Sequence, residues 1–188
     1  ETIESGGQAA ARGGFTTICC MPNTRPVNDR PEITREIIDR ARKGSPVRVL
    51  PVASVSRGEQ GQELTPMAEL ASAGAAGFSD DGQPITSSAL MRKAMEIAAS
   101  LGLPLIDHCE EKSLSRNGVI NEGRISRLLQ LGGIPAAAEE IMVARDIILA
   151  RDFGWPVHLA HLSTKGSVDL LAWAKAEGVP VTAEVTPH

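Results

Sequence analysis

The stretch Phe153–Val168, FGWPVHLAHLSTKGSV, contains the pattern that decides the fold. A glycine and a proline precede a short run of Val, Leu and Ala in which two histidines stand three positions apart. Glycine supplies the left-handed cap of a helix and proline cannot continue one, so the apolar run predicts a buried strand. A polar loop and a further helical segment follow. The stretch therefore indicates one strand placed between two helices.

The same punctuation recurs as LGLP and EGVP, and short β-branched runs alternate with longer helical patterns throughout the chain. This alternation is typical of βα units on a parallel sheet. The predicted strands are Thr16–Met21, Val47–Ala53, Ala75–Ser79, Pro104–His108, Pro156–Leu162 and Pro180–Val185. The predicted helices are Ile3–Arg12, Pro31–Lys43, Pro66–Ala73, Ser87–Leu101, Ala136–Phe153 and Lys165–Glu177. Between them, Ser113–Pro135 is a long insertion with weak periodicity.

Polar residues follow nearly every predicted strand, in MPNT, FSDDG, IDHCEE, LAHLST and EVTPH. In a (β/α)8 barrel the chemistry lies at the carboxyl ends of many strands, whereas an open doubly wound sheet concentrates it at one switch point. The chain also has no glycine-rich phosphate loop after a strand. We therefore predict an α/β fold of the (β/α)8 TIM-barrel type, represented here by about six of the eight βα units.

The composition limits the kinds of partner that the protein is expected to bind and its expected location in the cell. The 188 residues carry a net charge of −4 without a basic stripe, which argues against nucleic acid and favours a small-molecule partner. No apolar run approaches the roughly 18 residues that cross a bilayer, so we expect no membrane segment and a cytoplasmic protein. Three cysteines make a poor disulfide framework. Cys19 and Cys20 are expected to be small apolar residues of the core.

Carboxylates and imidazoles at the strand ends are the candidates for chemistry: Asp80, Asp81, His108 and His161. Nitrogen and oxygen ligands of this kind suit a hydrolytic zinc site. Each also has a structural interpretation, because SDDG can form a turn and His108 can belong to a cluster at a helix start. Their common position at the same end of successive strands favours the metal site.

Taken together, several motifs resemble those of the bacterial type of dihydroorotase, a family of the amidohydrolase superfamily. The resemblance rests on MPNTRPVND, GFSDDG, DHCEEKSL, GIPAAAEEIMVARDI, HLAHLSTKGSV and EVTPH, which follow one another over essentially the whole chain. It implies a (β/α)8 barrel with one or two zinc ions. It also implies an enzyme of pyrimidine biosynthesis that interconverts N-carbamoyl-L-aspartate and L-dihydroorotate.

The resemblance assigns roles residue by residue. It implies that the metal ligands are Asp81, with Asp80 as the near alternative, together with His108 and His161. It implies that Asn23 in MPNT binds the substrate carboxylate. Since strand residues three apart point to opposite faces, we expect only one histidine of the opening stretch to face the barrel axis. His161 would take the metal, and His158 would pack or make a supporting hydrogen bond.

Some features of the family are missing from the sequence. The family's first strand carries a His-x-His pair and an arginine, and its eighth strand carries an aspartate that shuttles the proton. The resemblance thus implies that residues 1–188 are an incomplete hydrolase barrel domain comprising the second to seventh strands. We expect this excerpt to be inactive by itself, with the general base outside the chain.

Two other interpretations remain open at this point. One is a related cyclic-amide hydrolase, a hydantoinase or an allantoinase. The other is a catalytically inactive scaffold subunit for aspartate carbamoyltransferase. For the dihydroorotase interpretation, we expect a homo-oligomer and a possible complex with that carbamoyltransferase.

Overall fold

A computed structural model gives the structure of the protein and describes residues 1–186. Pro187 and His188, the end of the EVTPH motif, lie outside the described residues. The strands are β1 (Thr17–Cys20), β2 (Arg48–Ala53), β3 (Gly77–Ser79), β4 (Leu105–Asp107), β5 (Ile120–Asn121), β6 (Gly133–Ile134), β7 (Val157–Leu159) and β8 (Val181–Ala183). The α-helices are α1 (Ile3–Arg12), α2 (Pro31–Gly44), α3 (Met67–Ala73), α4 (Ser88–Leu101), α5 (Lys112–Ser115), α6 (Arg124–Leu129), α7 (Ala137–Phe153) and α8 (Lys165–Ala176).

Six parallel strands form one curled sheet in the order β1-β2-β3-β4-β7-β8, an arc of a barrel. Each strand lies beside the next one of the sheet along the chain, so the order never reverses as it does at the switch point of a doubly wound sheet. The predicted barrel-type α/β fold is confirmed, and all six predicted strands are present, each one to four residues shorter than expected.

The turns between helices and strands lie where the glycines and the prolines after them predict. Gly102, Gly154 and Gly178 have φ values of 65°, 69° and 74°, in the left-handed region that favours glycine. The strands β4, β7 and β8 each begin at the residue after the proline of these motifs. These local signals therefore fix where three strands start.

The core lies between the sheet and the helices on its outer side. Phe78, Leu105 and Leu159 are fully buried there, together with Met95 of α4 and Val143 of α7. Burying each large apolar side chain contributes about 1.5–3 kcal/mol. Along β4 and β7 the buried residues alternate with a half-exposed one, which places the other face of the sheet on the inner side of the arc.

The insertion after β4 is more ordered than its weak periodicity predicts. It contains the short helices α5 and α6, and the two-residue strands β5 and β6 pair in parallel as a separate small sheet. Elements of two to six residues are too short to produce a periodic pattern in the sequence.

The expectation that Cys19 and Cys20 lie in the core is wrong. Cys19 is exposed and Cys20 is half-buried on β1, which pairs with β2 alone among the described residues. None of the helices within residues 1–186 combines the length and the apolar character that a bilayer-spanning segment requires.

Candidate metal centre

Three of the residues singled out in the sequence converge at one point. His108 Nδ1 lies 2.9 Å from His161 Nε2, and Asp81 Oδ1 lies 3.6 Å and 3.5 Å from these two nitrogens. All three side chains are half-buried. The structure therefore brings a carboxylate and two imidazoles into one cluster, hereafter the Asp81 cluster.

Strand neighbours explain this convergence. Asp81 lies two residues beyond β3, His108 directly follows β4, and His161 lies two residues beyond β7. These three strands are adjacent in the sheet, so their carboxyl ends share one edge. The backbone NH of Ala160 also donates to the carbonyl of Asp107 at 3.0 Å, which ties the segment before His161 to the segment before His108.

The expectation about the two histidines of the opening stretch is wrong in its geometry. Strand β7 ends at Leu159, so the alternation of faces does not extend to His161, whose φ of 38° turns the chain. His158 pairs in register with Ile106, which lies two residues before His108. Because residues paired in register point to the same face of a sheet, His158 faces the inner side of the arc, as Ile106 does. It hydrogen bonds to Thr182 through Nδ1 at 2.8 Å, outside the Asp81 cluster.

The two aspartates of SDDG have different surroundings. The buried carboxylate of Asp80 accepts hydrogen bonds from the backbone NH of Val55 at 2.7 Å, from that of Ser56 and from the Ser56 hydroxyl. These bonds tie the end of β3 to the loop after β2. Asp80 is thereby occupied as a structural residue, and the geometry favours Asp81 as the candidate ligand.

Asp81 and His161 stabilise each other's charged forms. The hydrogen bond from His161 lowers the pKa of the Asp81 carboxyl below its usual value, against the effect of burial. The same hydrogen bond raises the pKa of His161. A carboxylate beside two neutral imidazoles is a donor set that suits a divalent cation, which would take the place of the proton between Asp81 and His161.

The spacing of the cluster also fits zinc. A tetrahedral ion with bonds of about 2.0–2.2 Å separates its ligand atoms by about 3.3 Å. The separations of 2.9, 3.5 and 3.6 Å bracket this value. The residues present can therefore supply three ligands to one such ion.

Neighbouring carboxylates support His108 and the loop behind it. Glu110 Oε2 lies 3.3 Å from His108 Nε2, the ring nitrogen that faces away from the cluster. Carboxylates in this position fix the orientation of a ligating imidazole. Glu111 instead caps α5 by accepting from the backbone NH of Ser113 at 3.0 Å.

Behind β4, a second group of acidic residues is ion-paired. Arg145 of α7 donates to Asp107 at 3.1 Å, to Asp146 at 2.7 Å and to the carbonyl of Ile85. Burial, followed by repulsion from Asp146, raises the pKa of Asp107 well above its usual value, and Arg145 opposes the rise. Cys109 lies against both carboxylates. A bound cation would compete here with a guanidinium that is already paired, so we assign this group to stability.

Asn23 lies in the loop after β1 and its side chain is exposed. No contact described for residues 1–186 joins it to the Asp81 cluster. Its amide is therefore free to meet a ligand, and its role as a substrate-binding residue stays a prediction.

The different surroundings of Asp80 and Asp81 lead to a prediction about stability. Asp80→Asn turns one acceptor into a donor that faces NH and OH groups, so we expect the free energy of unfolding of the metal-free protein to fall by about 1–3 kcal/mol. Asp81→Asn should change it by less than about 1 kcal/mol. Urea denaturation of both variants measures the difference, and equal losses would contradict the assignment.

Comparison with known proteins shows the family of the chain. The profile of the family described as dihydro-orotase-like matches residues 1–167. The chain is 53% identical over 188 residues to a dihydroorotase from Pelotomaculum thermopropionicum and 54% identical to one from Sulfurihydrogenibium sp.. Both matches cover 100% of this chain and 44% of the relative, so the chain spans less than half the length of these curated relatives.

Solved structures share the fold. L-Hydantoinase (dihydropyrimidinase) from Arthrobacter aurescens matches with a TM-score of 0.79 at 21% identity, over 98% of this chain and 42% of that one. Dihydropyrimidinase from Brevibacillus agri matches with a TM-score of 0.71 at 20% identity, over 98% and 42% of the two chains. At these identities the likeness concerns the fold alone. The family match over residues 1–167 and the identity to two curated relatives show that the chain belongs to the dihydro-orotase-like family.

Proposed function

We propose that the protein is a dihydroorotase, which reversibly hydrolyses the cyclic amide of L-dihydroorotate to N-carbamoyl-L-aspartate in pyrimidine biosynthesis. The observation that carries this proposal is the convergence of Asp81, His108 and His161 at the carboxyl ends of adjacent strands. The dihydroorotases that are 53% and 54% identical to the whole chain support this choice of substrate.

In this proposal Asp81, His108 and His161 hold one or two zinc ions. Bound zinc would lower the pKa of a coordinated water to about 7 and polarise the amide carbonyl. The carboxylate of Asp81 would offset part of the charge of the ion, and Glu110 would hold the His108 ring in its orientation.

Substrate orientation is the proposed task of Asn23. Its exposed amide can donate a hydrogen bond to the substrate carboxylate and so fix the ring relative to the reacting carbonyl. The general base would come from outside the 188 residues, as the missing eighth-strand aspartate of the resemblance implies. On the same basis we propose that the six parallel strands correspond to the second to seventh strands of an incomplete barrel domain.

A hydantoinase is the second candidate, because the solved structures that share the fold include hydantoinases. Those matches are near 20% identity, whereas the curated dihydroorotases are above 50%. The inactive scaffold is less well supported, since the chain carries three residues that can ligate zinc.

A substrate panel tests the proposal. The protein at its full natural length, loaded with zinc, should hydrolyse dihydroorotate at least about a hundredfold more efficiently than hydantoin or allantoin, because specific polar contacts discriminate by about 3 kcal/mol or more. Competition between the three substrates, followed by absorbance, measures the ratio. Preference for hydantoin or allantoin would replace the proposal, and lack of turnover with full zinc occupancy would favour the scaffold.

Other features remain predictions. They are a homo-oligomeric state, a complex with aspartate carbamoyltransferase, and a cytoplasmic location.

A further inference from the structure

The segment Gly133–Ile147, GIPAAAEEIMVARDI, is the most specific motif of the sequence, and the proposed reaction uses none of its residues directly. It forms β6 and the first part of α7. The first turn of α7 carries Glu139, which lies 24 residues before the turn that follows His161.

Glu139 binds this turn with both carboxylate oxygens. Its Oε1 accepts hydrogen bonds from the backbone NH of Thr164 at 3.0 Å and from the Thr164 hydroxyl at 3.0 Å. Its Oε2 accepts from the backbone NH of Ser163 at 2.9 Å and from the Ser163 hydroxyl at 2.6 Å. One side chain therefore satisfies two backbone and two hydroxyl donors.

The carboxylate is held in its charged form. Burial opposes ionisation, but the hydrogen bonds from Ser163 and the neighbouring donors outweigh it and lower the pKa of Glu139. Glu139 also lies in the first turn of α7 and contacts Thr164, the N-cap of α8. The positive ends of two helix dipoles therefore favour its charge. Hydrogen bonds to an ionised acceptor are about twice as strong as neutral ones.

What these bonds hold is the backbone around His161. That residue adopts φ 38°, a conformation that a non-glycine residue keeps only when its surroundings enforce it. On its amino side, Ala160 is fixed by the carbonyl of Asp107. On its carboxyl side, Leu162 donates to the carbonyl of Glu184, and Glu139 fixes the next two residues.

We propose that Glu139 is a positioning residue of the metal centre, which holds the turn after His161 so that its imidazole stays within reach of His108 and Asp81. The inference rests on the proposed function insofar as the Asp81 cluster binds zinc. It assigns a task to Glu139, the first of the two adjacent glutamates of the motif, whereas the second has different surroundings. Glu140 packs against Gly166 and makes no side-chain hydrogen bond within residues 1–186.

The test compares Glu139→Gln with Glu140→Gln in the protein at its full natural length. Zinc affinity is measured by competition with a chromophoric chelator, and the cobalt-loaded proteins give a ligand-field spectrum that reports ligand geometry. We expect Glu139→Gln to bind zinc about 10- to 100-fold more weakly and to alter the cobalt spectrum, because supporting partners of ligands have effects of this size. Glu140→Gln should match the wild type.

A second variant, Ser163→Ala, removes one donor and keeps the charge of Glu139, so we expect a smaller loss of zinc affinity. If Glu139→Gln does not fold, the zinc affinity of Ser163→Ala tests the inference instead. Thermal unfolding of the metal-free proteins distinguishes an effect on stability alone from an effect on zinc binding. A lowered Tm with unchanged zinc affinity and an unchanged cobalt spectrum in the folded variants would overturn the inference. A wild type that binds zinc but does not hydrolyse dihydroorotate would refute the proposed function and leave the inference standing.

Discussion

His161→Ala is expected to lower the turnover of dihydroorotate by about a thousandfold or more in the zinc-loaded protein at its full natural length. The imidazole is one of three groups that converge within 3.6 Å of one another. A metal ion supplies several kcal/mol of transition-state stabilisation, and about 4 kcal/mol corresponds to a factor of a thousand. Steady-state kinetics and zinc analysis by mass spectrometry measure the two effects together.

His158→Ala is the matched control, because it removes an imidazole three positions away that bonds to Thr182 and lies outside the Asp81 cluster. It should retain its zinc. Undiminished turnover of His161→Ala at normal zinc content would reject the site. Loss of zinc from both variants to the same extent would show that the effect is not specific to the cluster.

Arg145→Met is expected to reduce the free energy of unfolding by about 3–5 kcal/mol, because removing one partner of a buried ion pair leaves uncompensated charge. Arg145 bonds to the buried carboxylates of Asp107 and Asp146 and to the carbonyl of Ile85. These contacts connect α7 with the residue before His108 and with the loop after Asp81. Urea denaturation of the metal-free protein, monitored by circular dichroism, measures the loss.

Arg151→Met on the same helix provides the comparison. Arg151 pairs with Asp152 at 2.9 Å, and both side chains are about half exposed, at 49% and 50%. Such surface pairs contribute about 0–1 kcal/mol. Similar losses for the two variants would mean that the buried pairs of Arg145 have no special weight in stability.

The fold could be predicted because its signals are local. Glycine caps and the prolines after them mark where β4, β7 and β8 begin, and the alternation of strand and helix patterns predicts a parallel sheet. The polar residues at the strand ends then point to the barrel type. The short elements of the insertion and the exposure of Cys19 depend on tertiary pairing, which leaves no periodic signal in the sequence.

The residues of the candidate site could be predicted from the sequence only in part. Residue type and position at strand ends single out Asp81, His108 and His161, but the inner-facing His158 depends on register and on where β7 stops. The tasks of Glu139 and Arg145 rest on contacts with residues 24 and 38 positions away. A motif can reveal that such residues are special, but only the packed structure shows what they touch.

The spacing of the cluster along the chain has a consequence for the order of folding. His108 and His161 are separated by 53 positions, and Asp81 and His161 by 80. An unfolded chain would have to close these large loops before any two ligands could meet, and loop closure carries an entropic cost. We therefore expect the zinc of the proposed site to bind late, once neighbouring strands have docked, rather than to nucleate folding as it does in a zinc finger.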